Sequence, residues 1–213
     1  YRQNAPEALE APEVPIPIEF GLPEFEVTLP HEKDWSMRPC TTAIRIDPVG
    51  QRILAGTTDP DALYVHDRDL TIVQEATLSS APTWIDHLKL RGEPTRRLVL
   101  TLSGQLDPND FAKGNLITVR EGDGTGQVYD SPSTILRNLR RPVNTQFADL
   151  NRDGLPDPIV AQHGDSVGKL SWYASGGPDG SFQERIIFPH PGTLMLRMID
   201  YDGDKDADIL ALI

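Results

Sequence analysis

The sequence predicts an all-β chain built as a propeller-like array of four-stranded blades, incomplete as a ring, behind an extended N-terminal arm. Three observations lead there. Short β-type runs are separated by Gly, Pro, Asp and Asn; no segment carries a helical period with a cap at its start; and an acidic string near the C-terminus recurs about one blade-length apart.

The runs come first. Ala43–Ile46, Arg52–Ala55, Leu63–His66, Thr71–Glu75, Arg97–Leu102, Asn115–Arg120, Asp157–Gln162 and Lys169–Ala174 are each a few residues long and bounded by turn formers. Such spacing suits a meander, in which hairpins join sequential neighbours. With 213 residues, 38% of them hydrophobic, the chain can bury a substantial core.

Residues 1–38 differ in composition. Pro6, Pro12, Pro15, Pro17, Pro23 and Pro30 alternate with Glu7, Glu10, Glu13, Glu19, Glu24 and Glu26. Repeated proline removes backbone donors and blocks helix, so an extended arm is expected. Its apolar residues, among them Ile16, Ile18, Phe20, Leu22, Phe25, Val27 and Leu29, predict that it lies along a surface of this chain or of a partner.

The repeat is the most informative feature. Phe147-Ala-Asp-Leu-Asn-Arg-Asp-Gly-Leu-Pro-Asp returns, with changes, as Met198-Ile-Asp-Tyr-Asp-Gly-Asp-Lys-Asp-Ala-Asp, which sets Asp149 and Asp200 51 residues apart. A proline followed closely by threonine precedes each copy, at Pro142…Thr145 and Pro191-Gly-Thr193. The same punctuation at Pro82-Thr83 and Pro39-Cys-Thr41-Thr42 marks two earlier units. Unit starts are therefore expected near residues 40, 83, 144 and 193 of a blade region spanning 39–213, the last unit being truncated. A ring normally holds four to eight blades. An open ring leaves unpaired strand edges, so the missing blades are expected in further residues of the same polypeptide or in another protein chain.

The recurring string carries the chemistry. Asp149, Asn151, Asp153 and Asp157 occupy positions 1, 3, 5 and 9 of a loop with Gly154 at position 6, and Leu155 at position 7 can offer its carbonyl. Asp200, Asp202, Asp204 and Asp208 repeat that spacing, with Asp206 at position 7 and Lys205 in place of the glycine. Ca²⁺ takes six to eight oxygen ligands, and alternate residues of a curled loop can point inward around one ion, so two Ca²⁺ sites are expected. Without a cation the carboxylates repel one another. Position 12 is Val160 in one copy and Ala211 in the other rather than the bidentate Glu of an EF-hand, and a strand follows each loop instead of a helix.

The pattern Asp-x-Asp/Asn-x-Asp-Gly-x-x-Asp followed by an apolar strand resembles the FG-GAP/VCBS-type repeat of integrin-like β-propellers. That resemblance covers about a third of the chain, counting each blade that holds a copy. It implies Ca²⁺ held in a hairpin at the outer edge of a blade by the residues matched above, and it does not imply catalysis.

Composition excludes several function classes. A formal charge of −12 repels phosphate, which argues against nucleic acid as a partner. No apolar run approaches the roughly 20 residues of a transmembrane helix. The chain starts at Tyr1 rather than Met, for which a cleaved export signal is one explanation, and a removed tag or an incomplete start are others. One cysteine, Cys40, forms no internal disulfide and is expected to be small and buried at a strand start; there is no Cys-x-x-Cys-His haem motif. His31, His66, His87, His163 and His190 show no zinc spacing, and neither a Gly-x-Ser-x-Gly elbow nor a phosphate-binding glycine loop is present. Arg137, Arg140 and Arg141 read as a solvated connection between units. Trp84, Trp172 and Tyr173 read as core residues, one of which is also a candidate for stacking on carbohydrate.

The expected function is accordingly a non-enzymatic, exported Ca²⁺-binding module for protein binding or scaffolding, extracellular, at the cell surface or periplasmic. Sites with Kd near 10⁻⁴–10⁻³ M are characteristic of extracellular modules. The alternatives are the propeller domain of a polysaccharide-active enzyme and an accessory subunit of an exported electron-transfer complex.

Overall fold

The structure, a computed structural model, describes residues 40–47, 49–90, 92–106, 111–122, 128–130, 132–175 and 181–213. All of these belong to the compact unit Met37–Ile213. The arm expected over residues 1–38 lies outside the described residues.

Among the described residues there are strands and turns and no helix. Strands β1 (Cys40–Asp47), β2 (Arg52–Thr58), β3 (Ala62–His66) and β4 (Ile72–Thr77) form one antiparallel meander, paired in chain order. A second consists of β5 (Pro82–Leu88), β6 (Arg97–Leu102), β7 (Lys113–Arg120) and β8 (Ser133–Arg140). The third holds β9 (Pro142–Ala148), β10 (Asp157–Gln162), β11 (Lys169–Ala174) and β12 (Gln183–Phe188), and a hairpin of β13 (Met195–Ile199) and β14 (Asp208–Leu212) follows. None of these sheets closes on itself, and the array is one of incomplete propeller-like blades.

Three core clusters show how the blades stack. Leu54, Leu63 and Val65 of the first sheet pack with Ile85, Leu98, Leu100, Leu102, Ile117 and Val119 of the second. Val99, Leu116, Leu136 and Leu139, from the other face of the second sheet, meet Val160 and Tyr173 of the third. Ile159, Ala161 and Leu170 then meet Leu196, with Met198, Ile209 and Ala211 around them. Successive residues of β6 therefore serve opposite interfaces, which is why its run Arg-Leu-Val-Leu-Thr-Leu is apolar on both sides instead of alternating. The outer strands β4 and β12 are mostly exposed.

The Pro-Thr punctuation acquires a physical role. Thr42 and Thr83 are each the bulged residue near the start of a blade's first strand. The Thr42 hydroxyl donates to the Pro82 carbonyl at 2.6 Å and the Thr83 hydroxyl to the Pro142 carbonyl at 3.1 Å, each tying one blade to the start of the next. At the third junction the stitch changes chemistry, the backbone N–H of Leu196 donating to Asn144 Oδ1 at 3.0 Å.

Blades one and two share a second, ionic junction. Asp47, at the end of β1 and 1% exposed, accepts from Arg96 Nη1 at 3.0 Å and Nη2 at 2.8 Å. Arg96 also donates to Glu121 at 3.1 Å. The His87 ring lies 3.2 Å from the Tyr129 hydroxyl and 3.7 Å from Asp47, and Arg45 pairs with Asp86 at 2.8 Å. Burying the carboxylate of Asp47 is tolerable because two guanidinium donors face it.

Two expectations are corrected by the packing. Cys40 does open a strand but is exposed, as Thr41 beside it is, because the first residues of β1 are not covered by the core. Arg137 and Arg140 belong to β8, with Leu136 and Leu139 buried beside them, so this segment is an amphipathic outer strand and not a solvated connection. The basic residues masked a strand whose apolar positions are few.

Candidate metal loops

Residues 149–156 join β9 to β10 and residues 200–207 join β13 to β14, with Asp157 and Asp208 opening the strand that follows, so each acidic string forms the hairpin between the first and second strands of its blade. The strand ends align the loops: Asp157 opposes Ala148 in register, as Asp208 opposes Ile199.

The two loops share one internal hydrogen-bond scaffold. The N–H at position 6 donates to the carboxylate at position 1, from Gly154 to Asp149 at 2.8 Å and from Lys205 to Asp200 at 3.1 Å. The N–H at position 5 donates to the side chain at position 3, from Asp153 to Asn151 at 3.0 Å and from Asp204 to Asp202 at 3.2 Å. The N–H at position 7 donates to position 5, from Leu155 to Asp153 and from Asp206 to Asp204, both at 2.8 Å. The N–H at position 2 donates to the carboxylate at position 9, from Leu150 to Asp157 at 3.4 Å and from Tyr201 to Asp208 at 2.8 Å. Asp and Asn side chains accept readily from backbone N–H groups a few residues on, which curls each segment.

Backbone conformation is shared as well. Positions 4 and 6 are left-handed in both loops, with φ of 62° at Arg152, 84° at Gly154, 81° at Gly203 and 73° at Lys205. Lys205 thus adopts the conformation that its glycine counterpart reaches without penalty, at a cost of about 1 kcal/mol.

In the second loop one carboxylate oxygen from each of Asp200, Asp202 and Asp208 lies within 4.8 Å of the other two. Three anionic oxygens gathered on an exposed loop form a donor set that suits a hard divalent cation. Asp204 lies outside this trio and caps Asp206, whose own carboxylate pairs with Arg152 of the first loop. In the first loop Asn151 takes the place of Asp202, so position 3 offers an amide oxygen, which accepts from the Asp153 N–H, instead of a carboxylate. The N–H of Leu155 holds the Asp153 carboxyl below its usual range, against the upward push of burial, and Asn151 and Ser175 act in the same direction as Leu155.

Asp157 differs from Asp208 in its surroundings. It is completely buried, and its carboxylate accepts from the Ser175 N–H at 2.7 Å, the Ser175 hydroxyl at 2.6 Å and Trp172 Nε1 at 2.9 Å, besides Leu150. Trp172 and Ser175 come from β11 and the residue after it, so a third strand anchors the first loop. Among the described residues Asp208 has one such donor, Tyr201. Sequence reasoning did not single out Ser175 for this role, because nothing local distinguishes it from an ordinary turn serine, and read Trp172 as core. Replacing Asp157 by Asn turns an NH₂ group toward donors, and unfolding in urea with chelator present is expected to show a loss of about 3 kcal/mol, with altered Trp172 fluorescence. A loss under about 0.5 kcal/mol, the level of an ordinary surface substitution, would contradict the anchoring role.

The described residues hold no helix long and apolar enough to cross a membrane. No curated protein and no solved structure matches the chain. The FG-GAP-like repeat family matches residues 149–211, a span that starts at the first position of the first loop and runs through the second to β14. Meander sheets stacked face to face, paired acidic hairpins and this match together support an FG-GAP-type repeat over residues 149–211 within a module of the propeller type.

Proposed function

We propose that the chain is an exported, non-enzymatic Ca²⁺-binding module serving protein binding or scaffolding in a larger assembly. The observation that carries the metal reading is the convergence of Asp200, Asp202 and Asp208 on a loop whose hydrogen-bond scaffold is duplicated in the neighbouring blade. Asp200, Asp202 and Asp208 would hold one ion. Asp149, Asn151, Asp153 and Asp157 would surround the other, with the Leu155 carbonyl completing the shell. When bound, the metal supplies charge neutralisation and a cross-link between hairpin and strand.

The assembly reading rests on uncovered apolar faces. On β1, Ala43 and Arg45 face the second blade, whereas Ile44 and Ile46 point the other way and are each 66% exposed. At the opposite end Leu210 and Leu212 are 58% and 59% exposed. Faces of this kind are ordinarily covered by further blades or by partner chains. Export is supported by the match to the repeat family, which is typical of extracellular and periplasmic proteins.

Calorimetric titration of the chain with CaCl₂ is expected to show two saturable sites with Kd on the order of 10⁻⁴–10⁻³ M. Asp200→Asn with Asp202→Asn is expected to remove one of them. Absence of any saturable heat up to ten times that range would overturn the metal reading.

A further inference from the structure

Arg152 occupies position 4 of the first loop, and its guanidinium crosses to the neighbouring blade to pair with Asp206, 54 residues further on, at position 7 of the second loop. The contact is one-directional. Position 4 of the second loop is Gly203, which has no side chain to reach onward, and position 7 of the first loop is Leu155, which has no charge to receive a partner. The left-handed backbone at Arg152 is shared with Gly203, so the side chain is an addition to a turn that does not require one.

Charge explains where such an addition acts. The second loop carries five aspartates and one lysine between residues 200 and 208, whereas the first carries three aspartates and Arg152 itself between 149 and 157. Asp200, Asp202 and Asp208 converge, Asp204 caps a backbone N–H, and Asp206 is left facing Arg152. We infer that Arg152 is a counter-charge supplied by one blade to the cation loop of the next, lowering that loop's affinity for Ca²⁺ while steadying its cation-free form. This rests on the calcium reading above.

The sign follows from elementary electrostatics. A fixed positive charge beside a cation site repels the incoming ion, and with the same field it relieves repulsion among carboxylates when the ion is gone. Both side chains are largely exposed, at 78% and 60%, so salt must screen the effect strongly. By linkage, whatever Arg152 subtracts from cation binding it adds to the stability of the cation-free loop relative to the loaded one.

The test uses the whole chain carrying Asp149→Asn and Asp153→Asn, which silences the first loop so that titration with CaCl₂ reads the second. At about 0.02 M salt Arg152→Gln is expected to tighten binding about threefold and Arg152→Glu about tenfold, and at about 0.5 M salt both gains should shrink below about 1.5-fold. In chelator Arg152→Glu should melt below the parent. Unchanged affinity of both variants at low salt overturns the inference while leaving the calcium sites standing. A gain that persists at high salt also overturns it, since packing rather than charge would then be responsible. If neither the parent nor the native chain binds Ca²⁺, the calcium reading falls and the inference with it.

Discussion

Calcium at 10 to 100 times the Kd of the second loop is expected to raise the melting midpoint of the chain by about 3–10 °C over the value in chelator through that site alone. An ion that binds only the folded form stabilises it by RT ln(1 + [L]/Kd), about 1.4–2.7 kcal/mol per site over that range, and a chain of this size gains about 2–4 °C per kcal/mol. The effect should concentrate in the second loop. There the carboxylates of Asp200, Asp202 and Asp208 converge with a single N–H donor to Asp208 among the described residues, whereas Asp157 is already bound by Ser175, Trp172 and Leu150. Asp200→Asn with Asp202→Asn should therefore abolish most of the shift and Asp149→Asn the smaller part. A midpoint indifferent to Ca²⁺ would refute the metal reading. A shift confined to the first loop would refute the placing of the larger effect at Asp200, Asp202 and Asp208.

Arg96→Ala is expected to cost about 3–5 kcal/mol in denaturant unfolding, because it leaves the buried Asp47 carboxylate without its guanidinium partner, and Asp47→Ala less, because Arg96 keeps Glu121. Asp47→Leu combined with Arg96→Met should recover a substantial part of the loss, since an apolar pair removes both desolvation penalties together. Additive losses in the double variant would show that packing, not charge, holds this junction. The pH profile gives an independent reading. Burial pushes the Asp47 carboxyl up, but the hydrogen bonds from Arg96 and the Gly50 backbone, with the positive field of His87 and Arg96, outweigh it and bring its pKa down to about 2. A carboxyl depressed from 3.8 in this way contributes on the order of 2 kcal/mol, present above pH 3.8 and lost as pH falls through about 2. His87 acts earlier. Burial lowers its pKa from 6.5, Arg96 and Arg45 reinforcing and Asp47 and Glu121 opposing. The unfolded chain therefore takes up this proton first as pH drops below 6.5, and stability declines with acid. Melting curves from pH 7 to pH 5 should show that decline in the native chain and a shallower one in His87→Gln, which keeps a polar group toward Tyr129 without a titrating ring. Parallel curves would remove His87 from the account.

The acidic hairpins were legible in the residues because their chemistry is local. Oxygen donors at alternate positions, a glycine where the chain must turn left-handed, and an apolar strand immediately after specify a curled loop entering a sheet, and Asp149 to Asp157 and Asp200 to Asp208 carry that specification within nine residues each. The all-β class was legible for the same reason, since short runs bounded by turn formers leave no room for a helix. Even the Pro-Thr punctuation was visible, though its purpose was not. That Thr42 reaches Pro82 and Thr83 reaches Pro142 is decided by bulges that swing each hydroxyl toward the next blade.

What only the tertiary structure decided are the contacts whose partners lie far apart along the chain. Asp47 meets Arg96, Asp157 meets Ser175 and Arg152 meets Asp206 because sheets stack face to face and strands pair at a distance, and no spacing rule in the sequence connects them. β8 was hidden by its arginines and β6 read as a plain apolar run, since burial of one face or two depends on what stands opposite. Local periodicity and turn chemistry determined what each segment is, whereas the packing of blade on blade determined which of its side chains are paired, buried or free. The physical reason is range: backbone preference and loop curvature act over a few residues, while desolvation and ion pairing act wherever folding brings surfaces together.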